Sequence, residues 1–356
     1  MNEISCPRPT ADLRSTASKP ATGHTPEVSV IIVNWNAKDY LRQCLTSLFK
    51  HCQAVRFEVI VVDSGSFDGS AEMVAREFPS VLFAQSSQNV GFARANNLGV
   101  RQSRGRYLLF LNPDTEFTED SVWILCDCIR SSPDAGAIGC RLLNTDRTLQ
   151  TSCVQSFPTV INQALDAEFL QRWFPRSSLW GASALHATEQ TFGKVEVVSG
   201  ACIFITRAVF ETIGGFTEDY FMYGEDLDLC FKVRRFGYCV YYTGETNVIH
   251  HGCGSSRKGK EDFADVMMRD SVYRFMRLNR GVVHAACYRA AMAGAASVRI
   301  PLIIALRALG RARKTTLWKW LSILSWSLGL TTPKPLDLLP PHKLDAARSR
   351  SPLCAE

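Results

Sequence analysis

The chain has 356 residues, 46% of them hydrophobic and 21% charged, which excludes wholesale disorder and suits one large domain with an appendage, or two ordinary domains. Its formal net charge of +6 is unevenly spread: Ser271–Leu336 holds eleven Lys and Arg and no Asp or Glu, so an acidic partner is expected for that segment alone. The thirteen cysteines contain no CxxC pair, which removes zinc-ribbon and thioredoxin readings and leaves reduced thiols acting as small core hydrophobes.

Residues 1–26 carry four prolines among Ser and Thr and no apolar core of a signal peptide, so they are read as a disordered tail. The first strand is Val28–Val33, ending at Asn34-Trp35-Asn36. A helix follows with Leu41, Leu45 and Leu48 on one face. A second strand, Phe57–Val62, runs into the polar turn Asp63–Ser70, where Asp68 is placed as a cap for the helix carrying Met73, Val74 and Phe78. The beat continues with a strand at Val81–Ala84, a helix near Phe92–Gln102 and a strand at Tyr107–Leu111.

Alternating strands and helices with short connections predict an α/β fold, an open and mostly parallel sheet flanked by helices. Ligands of such sheets bind beyond the carboxyl ends of the strands, where both Asp63 and the turn Asn112-Pro113-Asp114 fall. After about Asn144 the rhythm breaks, and Thr151–Thr191 has no clear period. It returns as strands at Val195–Val198 and Ala201–Thr206, a helix around Asp226–Phe236, and strands at Tyr238–Tyr242 and Asn247–His250.

Six strings in order, VSVIIVNWN, VIVVDSGSFDGS, NVGFARANNLG, YLLFLNPDTE, VSGACIFITRAVFETIGGFTEDYFMYGEDLDLC and VIHHGCGSS, resemble the family 2 glycosyltransferases, and among them the bacterial rhamnosyltransferase-like branch. The likeness covers roughly Val28 to Ser256. It implies a GT-A-like fold and an inverting transfer of a sugar, rhamnose in that branch, from a nucleotide-diphosphate donor to an acceptor hydroxyl. The setting it implies is cell-surface polysaccharide synthesis.

Residue by residue, the resemblance places Asn34, Asp63, Asn97 and Asn112 on the nucleotide sugar, with Asn96 a lesser candidate. Asp63 taken alone would be a turn former. Asn112-Pro113-Asp114 matches the family's DxD element with its first Asp replaced by Asn, so Asp114 takes the divalent cation, Mg²⁺ or Mn²⁺, that neutralises the departing diphosphate. His250 matches the family's His–x–Gly–x–x–Ser pattern and either completes the metal shell or contacts the diphosphate. Glu225-Asp226 matches the ED motif: Asp226 is the base that deprotonates the acceptor, and Glu225 orients the acceptor or shapes the field. Taken alone, the two acids could equally be helix N-terminal charges. Gly200 and Gly214-Gly215 read as shaping elements on the acceptor side, and His251 as incidental.

From about Val282 to Leu330 apolar residues alternate with isolated cations. The longest uncharged run, Trp320–Pro333, is shorter than a spanning helix needs, so no transmembrane segment is predicted. Interfacial helices anchored by Trp318, Trp320 and Trp326 on an anionic membrane surface are expected, with a helical pair packed on the core as the alternative. Long apolar runs exclude nucleic acid as the partner.

The expected layout is a disordered tail at 1–26, the GT-A domain at 27–280, a basic, apolar, helical membrane-interface appendage at 281–336 and a second tail at 337–356. The expected partners are a nucleotide-sugar donor and a glycan or lipid-linked glycan acceptor, in the cytoplasm on the inner face of the cell membrane. Two rival readings remain, a sugar nucleotidyltransferase and a non-catalytic nucleotide-sugar binder.

Overall fold

The computed structural model describes residues 13–15, 25–165, 191–252, 261–309 and 314–332. The remainder of both predicted tails, and most of Thr151–Thr191, lie outside the described residues. The chain divides into two compact units, the first comprising residues 1–157, 182–220 and 225–254, the second 158–181, 221–224 and 255–356.

The first unit is built on a ten-stranded sheet. Its parallel half consists of β2 (Val28–Asn34), β3 (Phe57–Asp63), β4 (Leu82–Ser86) and β5 (Tyr107–Leu111), connected by α1 (Lys38–His51), α2 (Ser70–Glu77) and α3 (Phe92–Gln102). Every residue of β2 and β5 is buried, which is why these strands read as continuous apolar runs rather than alternating ones. The short strand β1 (Leu13–Ser15) pairs antiparallel with β4, so these three residues of the predicted tail form an edge strand.

Beyond β5 the order becomes mixed. Strand β11 (Cys202–Thr206) inserts antiparallel between β5 and β7 (Ala135–Leu143), and β7 pairs in parallel with β12 (Cys239–His250). Strands β6 (Thr115–Phe117) and β9 (Phe192–Val195) both pair antiparallel with β12. The two strands expected at Tyr238–Tyr242 and Asn247–His250 are one strand, interrupted by a register shift between Thr243 and Asn247. A two-stranded ladder pairs β8 (Val154–Gln155) with β10 (Val197–Val198). Helices α4 (Ser121–Arg130), α6 (Arg207–Thr212) and α7 (Glu225–Arg235) complete this unit.

The second unit contains α5 (Val160–Leu165), α8 (Glu261–Arg280), α9 (Val282–Ala308) and α10 (Lys314–Ser327). Gly281, at φ +92°, takes the left-handed turn between α8 and α9, where a Cβ would be strained. The apolar core of this unit joins Met276, Tyr288, Met292, Ile303, Ile323 and Trp326.

Its cations are distributed unexpectedly. Arg289 donates to the carbonyls of Trp326 (2.7 Å) and Ser327 (3.1 Å), closing the carboxyl end of α10. Arg299 donates to the Ala164 carbonyl at 3.0 Å and lies 4.5 Å over the Trp320 ring. Large aliphatics face outward on the same helix: Val298 is 71% exposed and Leu302 57%. By length and composition α9 is the one described helix able to cross a membrane, where the sequence predicts none; Arg289, Arg299 and Arg307 interrupt its apolar character without breaking the helix. Trp320 and Trp326, expected as interfacial anchors, are core residues instead, with the Trp326 indole N–H donating to Asp270 at 3.1 Å; Trp318 alone of the three is exposed.

Candidate active site

Strand directions set the position of the site. Strands β2, β3 and β5 are mutually parallel, and β7 and β12 share their direction because antiparallel β11 stands between β5 and β7. The carboxyl ends of β2, β3, β5 and β12 and the amino end of β11 therefore meet one edge of the sheet. Asn34, Asp63, Asn112 and His250 all stand there.

Asn34 and Asp63 form a buried corner. Asp63 Oδ1 accepts from Asn34 Nδ2 (2.8 Å) and Ser66 Oγ (2.6 Å), and Oδ2 accepts from the Ser66 amide (2.8 Å) and Gln85 Nε2 (3.0 Å). Four protein donors thus occupy this carboxylate, which orders the loop between β3 and α2. Asn34 Nδ2 also reaches Ser70 Oγ at 3.0 Å. Asn34 Oδ1 and Ser64 Oγ are buried with no hydrogen-bond partner, which leaves one acceptor and one hydroxyl at the corner unsatisfied by protein. Asp68 accepts from the amide of Lys38 at the start of α1 (2.9 Å) and from Ser70 N and Oγ, so it ties two helix starts together.

Asn97 is committed elsewhere. Its side chain donates to the Phe216 carbonyl (2.9 Å) and accepts from the Phe216 amide (3.0 Å), clamping the loop after Gly214-Gly215. No hydrogen bond among the described residues connects Asn97 to Asp63, Asp114 or Asp226.

Asn112, Asp114 and His250 converge. The Asn112 carbonyl accepts from Thr115 Oγ1 at 2.8 Å and its amide donates to the Ala201 carbonyl at 3.0 Å, fixing the turn after β5. The His251 amide donates to the Asp114 carbonyl at 2.9 Å, so the turn is pinned to the end of β12. His250 Nε2 then lies 3.4 Å from Asp114 Oδ1 and 3.3 Å from Asn112 Nδ2. His250 Nδ1 is 2.7 Å from Gln150 Oε1, a contact with no signal in sequence. His251 contacts Thr145 Oγ1 (3.0 Å) and Glu116 Oε2 (3.2 Å) and serves the scaffold.

Glu225 and Asp226 open α7. Asp226 Oδ2 accepts from the Gly200 amide at 3.0 Å, and Oδ1 from the Leu227 amide at 2.8 Å. Gly200 permits this approach, since a Cβ there would lie 3.3 Å from Asp226 Cβ. Asp226 and Asn112 are consequently bridged by residues 200–201, one held by the Gly200 amide and the other by the Ala201 carbonyl.

Burial raises the Asp226 pKa. The Glu225 carboxyl is pushed up to about 8, first by burial and then by the Asp226 charge. Glu225 Oε2 is buried without a hydrogen-bond partner. Asp228 belongs to a separate cluster, accepting from Thr217 Oγ1 and pairing with Lys232.

Among the described residues no three His, Cys, Asp or Glu side chains form a metal cluster. The donor set at Asp114 and His250 nevertheless fits a cation that takes the rest of its shell from phosphate oxygens and water, as Mg²⁺ and Mn²⁺ do at nucleotide sites.

The chain is similar to known glycosyltransferases in sequence and in fold. The family model described as "Glycosyl transferase family 2" matches residues 29–214. N-acetylglucosaminyl-diphospho-decaprenol L-rhamnosyltransferase of Mycobacterium tuberculosis is 28% identical over 243 residues, covering 65% of this chain and 78% of that protein. Rhamnosyltransferase WbbL of Escherichia coli K12 is 23% identical over 240 residues, covering 65% and 85%. Among solved structures, the mannosyltransferase PcManGT from Pyrobaculum calidifontis, in complex with GDP-Man and Mn²⁺, is similar with a TM-score of 0.53 at 17% identity, covering 89% of each chain, a likeness of fold.

Proposed function

The chain belongs to glycosyl transferase family 2 and is a glycosyltransferase acting in glycan synthesis; we propose that it is an inverting, metal-assisted enzyme that transfers rhamnose from its nucleotide diphosphate to a lipid-linked glycan acceptor at the cytoplasmic face of the membrane. The observation that carries this reading is the bridge through Gly200 and Ala201, which brings the acid expected as base to the turn expected to hold the diphosphate.

Asp226 takes the proton of the attacking hydroxyl. Each of its oxygens already accepts one backbone N–H, so the carboxylate is oriented, and a lone pair remains on each for the acceptor. Glu225, neutral beside it, spares Asp226 a second adjacent charge and lets it stay ionised. Asp114 and His250 would hold a divalent cation, whose charge offsets that developing on the diphosphate leaving group. Asn112, in place of an acid, contributes a neutral amide to this set, so the pair supplies one negative charge rather than two. Asn34 and Asp63 belong on the nucleotide side, with Asp63 acting through the loop it holds, while Asn97 serves the loop at Phe216.

The rhamnose donor is supported by the two rhamnosyltransferases among its relatives. Membrane attachment is supported by the second unit, whose α9 turns two arginines inward and aliphatics outward, the reverse of a water-facing helix. Incubating the purified chain with dTDP-rhamnose, UDP-sugars and GDP-sugars in the presence of Mn²⁺ tests the reaction. Release of nucleoside diphosphate supports transfer. Formation of nucleoside triphosphate and sugar 1-phosphate on addition of pyrophosphate would instead identify a nucleotidyltransferase, and no turnover with retained binding would identify a binder.

A further inference from the structure

We infer that Gln150 is a positioning residue that fixes the tautomer of His250, at the end of a one-way hydrogen-bond chain anchored on Asp146. The inference rests on the proposed reading of His250 as a metal contact and decides how the imidazole meets its ligand.

The direction of the chain follows from what each group can donate. A carboxylate only accepts, so the Thr148 hydroxyl gives its proton to Asp146 Oδ1, 2.6 Å away. The Thr148 oxygen then accepts from Asn144 Nδ2 at 2.9 Å. With its amide nitrogen so committed, Asn144 turns Oδ1 toward Gln150 Nε2 at 3.0 Å. The same Gln150 nitrogen lies 3.4 Å from the His250 carbonyl, a second acceptor that requires the NH₂ group on this side. Gln150 Oε1 is left facing His250 Nδ1 at 2.7 Å, and an amide oxygen has no proton to give. Nδ1 therefore carries the hydrogen.

Nε2 is left with a lone pair, directed where Asp114 and the Asn112 amide lie. A lone pair suits a cation and cannot donate to a phosphate oxygen, so the chain selects the metal role over the diphosphate contact. The hairpin from Leu142 to Gln150, closed by an antiparallel bridge between Leu143 and Leu149, is held in place independently, by the Gln150 amide on the Leu142 carbonyl (2.9 Å) and the Asn144 amide on the Thr148 carbonyl (2.8 Å), so the polarity is presented by a fixed backbone.

The test uses the full chain labelled with ¹⁵N-histidine, free of metal and above the imidazole titration range, with the His250 signals identified by their loss in His250→Gln. Long-range ¹H–¹⁵N spectra are expected to show protonated Nδ1 and bare Nε2. Gln150→Leu is expected to mix the tautomers and weaken binding of Mn²⁺ alone about 10–100-fold, read by electron paramagnetic resonance. Gln150→Glu keeps an acceptor for Nδ1–H and is expected to restore the tautomer. Asp146→Asn, in an exposed turn where folding is not at stake, is expected to mix the tautomers less than Gln150→Leu. A proton on Nε2 in the unaltered protein, or an unchanged tautomer in folded Gln150→Leu, overturns the inference. A fixed Nδ1–H tautomer in a protein that binds no Mn²⁺ upholds the positioning role and removes the metal reading of His250.

Discussion

The sheet edge of the first unit and the helices of the second handle charge in opposite ways. At the edge, ionisable side chains are buried or half-buried and wired to backbone amides or one another: Asp63 has four donors, Asp226 two, and Asp114 faces His250. Around α9 two arginines, Arg289 and Arg299, are drawn to carbonyls and rings, while Val298 and Leu302 face out. Buried charge is costly unless satisfied, so a protein retains it where chemistry uses it. Exposed aliphatics are costly in water, so a protein retains them where something apolar covers them. On the proposed reading, one region is organised around a reaction and the other around a membrane surface.

The largest expected break in this comparison is Asp226→Asn, which keeps the shape at Gly200 and removes the base. Turnover should fall about 10³-fold while donor binding, read by thermal shift, survives. Loss of donor binding instead would assign Asp226 to the nucleotide. Asp114→Asn should follow, with kcat/KM down roughly 10²-fold and the stimulation by Mn²⁺ abolished, measured by nucleoside diphosphate release across a metal titration.

The second region is tested by exchanging the two kinds of side chain. Val298→Ser with Leu302→Ser should weaken sedimentation with anionic vesicles by about 10²-fold, since each side chain contributes roughly 1.5–3 kcal/mol when buried, and should leave the melting temperature unchanged. Arg299→Ala should do the reverse, lowering the melting temperature through loss of the Trp320 contact while vesicle binding persists. If both variants bind vesicles as the parent does, the apolar face has another occupant.

How much of this could be read in advance follows from where the information lies. The strands from Val28 to Leu111 were legible because burial on both faces writes a continuous apolar run, and Asn34, Asp63 and Asn112 follow such runs directly. The insertion of β11 between β5 and β7 was not, because pairing between residues about ninety apart leaves no local period. Gln150 has no local signal either: its role exists only because a hairpin carries it to His250, a hundred residues away. The direction of the arginines on α9 depends on which face α8 and α10 cover, and the composition of one helix does not contain that. Trp320 and Trp326 were misplaced for the same reason.

Gly200→Ala sharpens the comparison at finer scale. Its added Cβ would press on Asp226 Cβ at 3.3 Å, a shift of a few tenths of an ångström. Activity should fall about 10-fold with little change in stability, because positioning errors well under 1 Å already cost rate. A drop matching that of Asp226→Asn would show that the Gly200 amide is needed to form the site, beyond aligning it.

The smallest effect concerns the charge that the edge keeps neutral. The folded state raises the Glu225 pKa to about 8, so it binds that proton more tightly than the unfolded chain does. The stability this contributes is complete below the ordinary glutamate range and is lost as pH rises through the folded value, where the carboxyl must ionise beside Asp226 without a partner for Oε2. Glu225→Gln removes the ionisation and keeps the shape. Its melting temperature should stay near that of the parent at about pH 5 and exceed it near about pH 9, with the gap opening from the ordinary glutamate range up to the folded value of about 8. An equal gap at both pH values would mean that Glu225 is already ionised at neutrality. Asp226 would then share its corner with a second negative charge, and its readiness to accept a proton would come from repulsion between the two rather than from backbone amides.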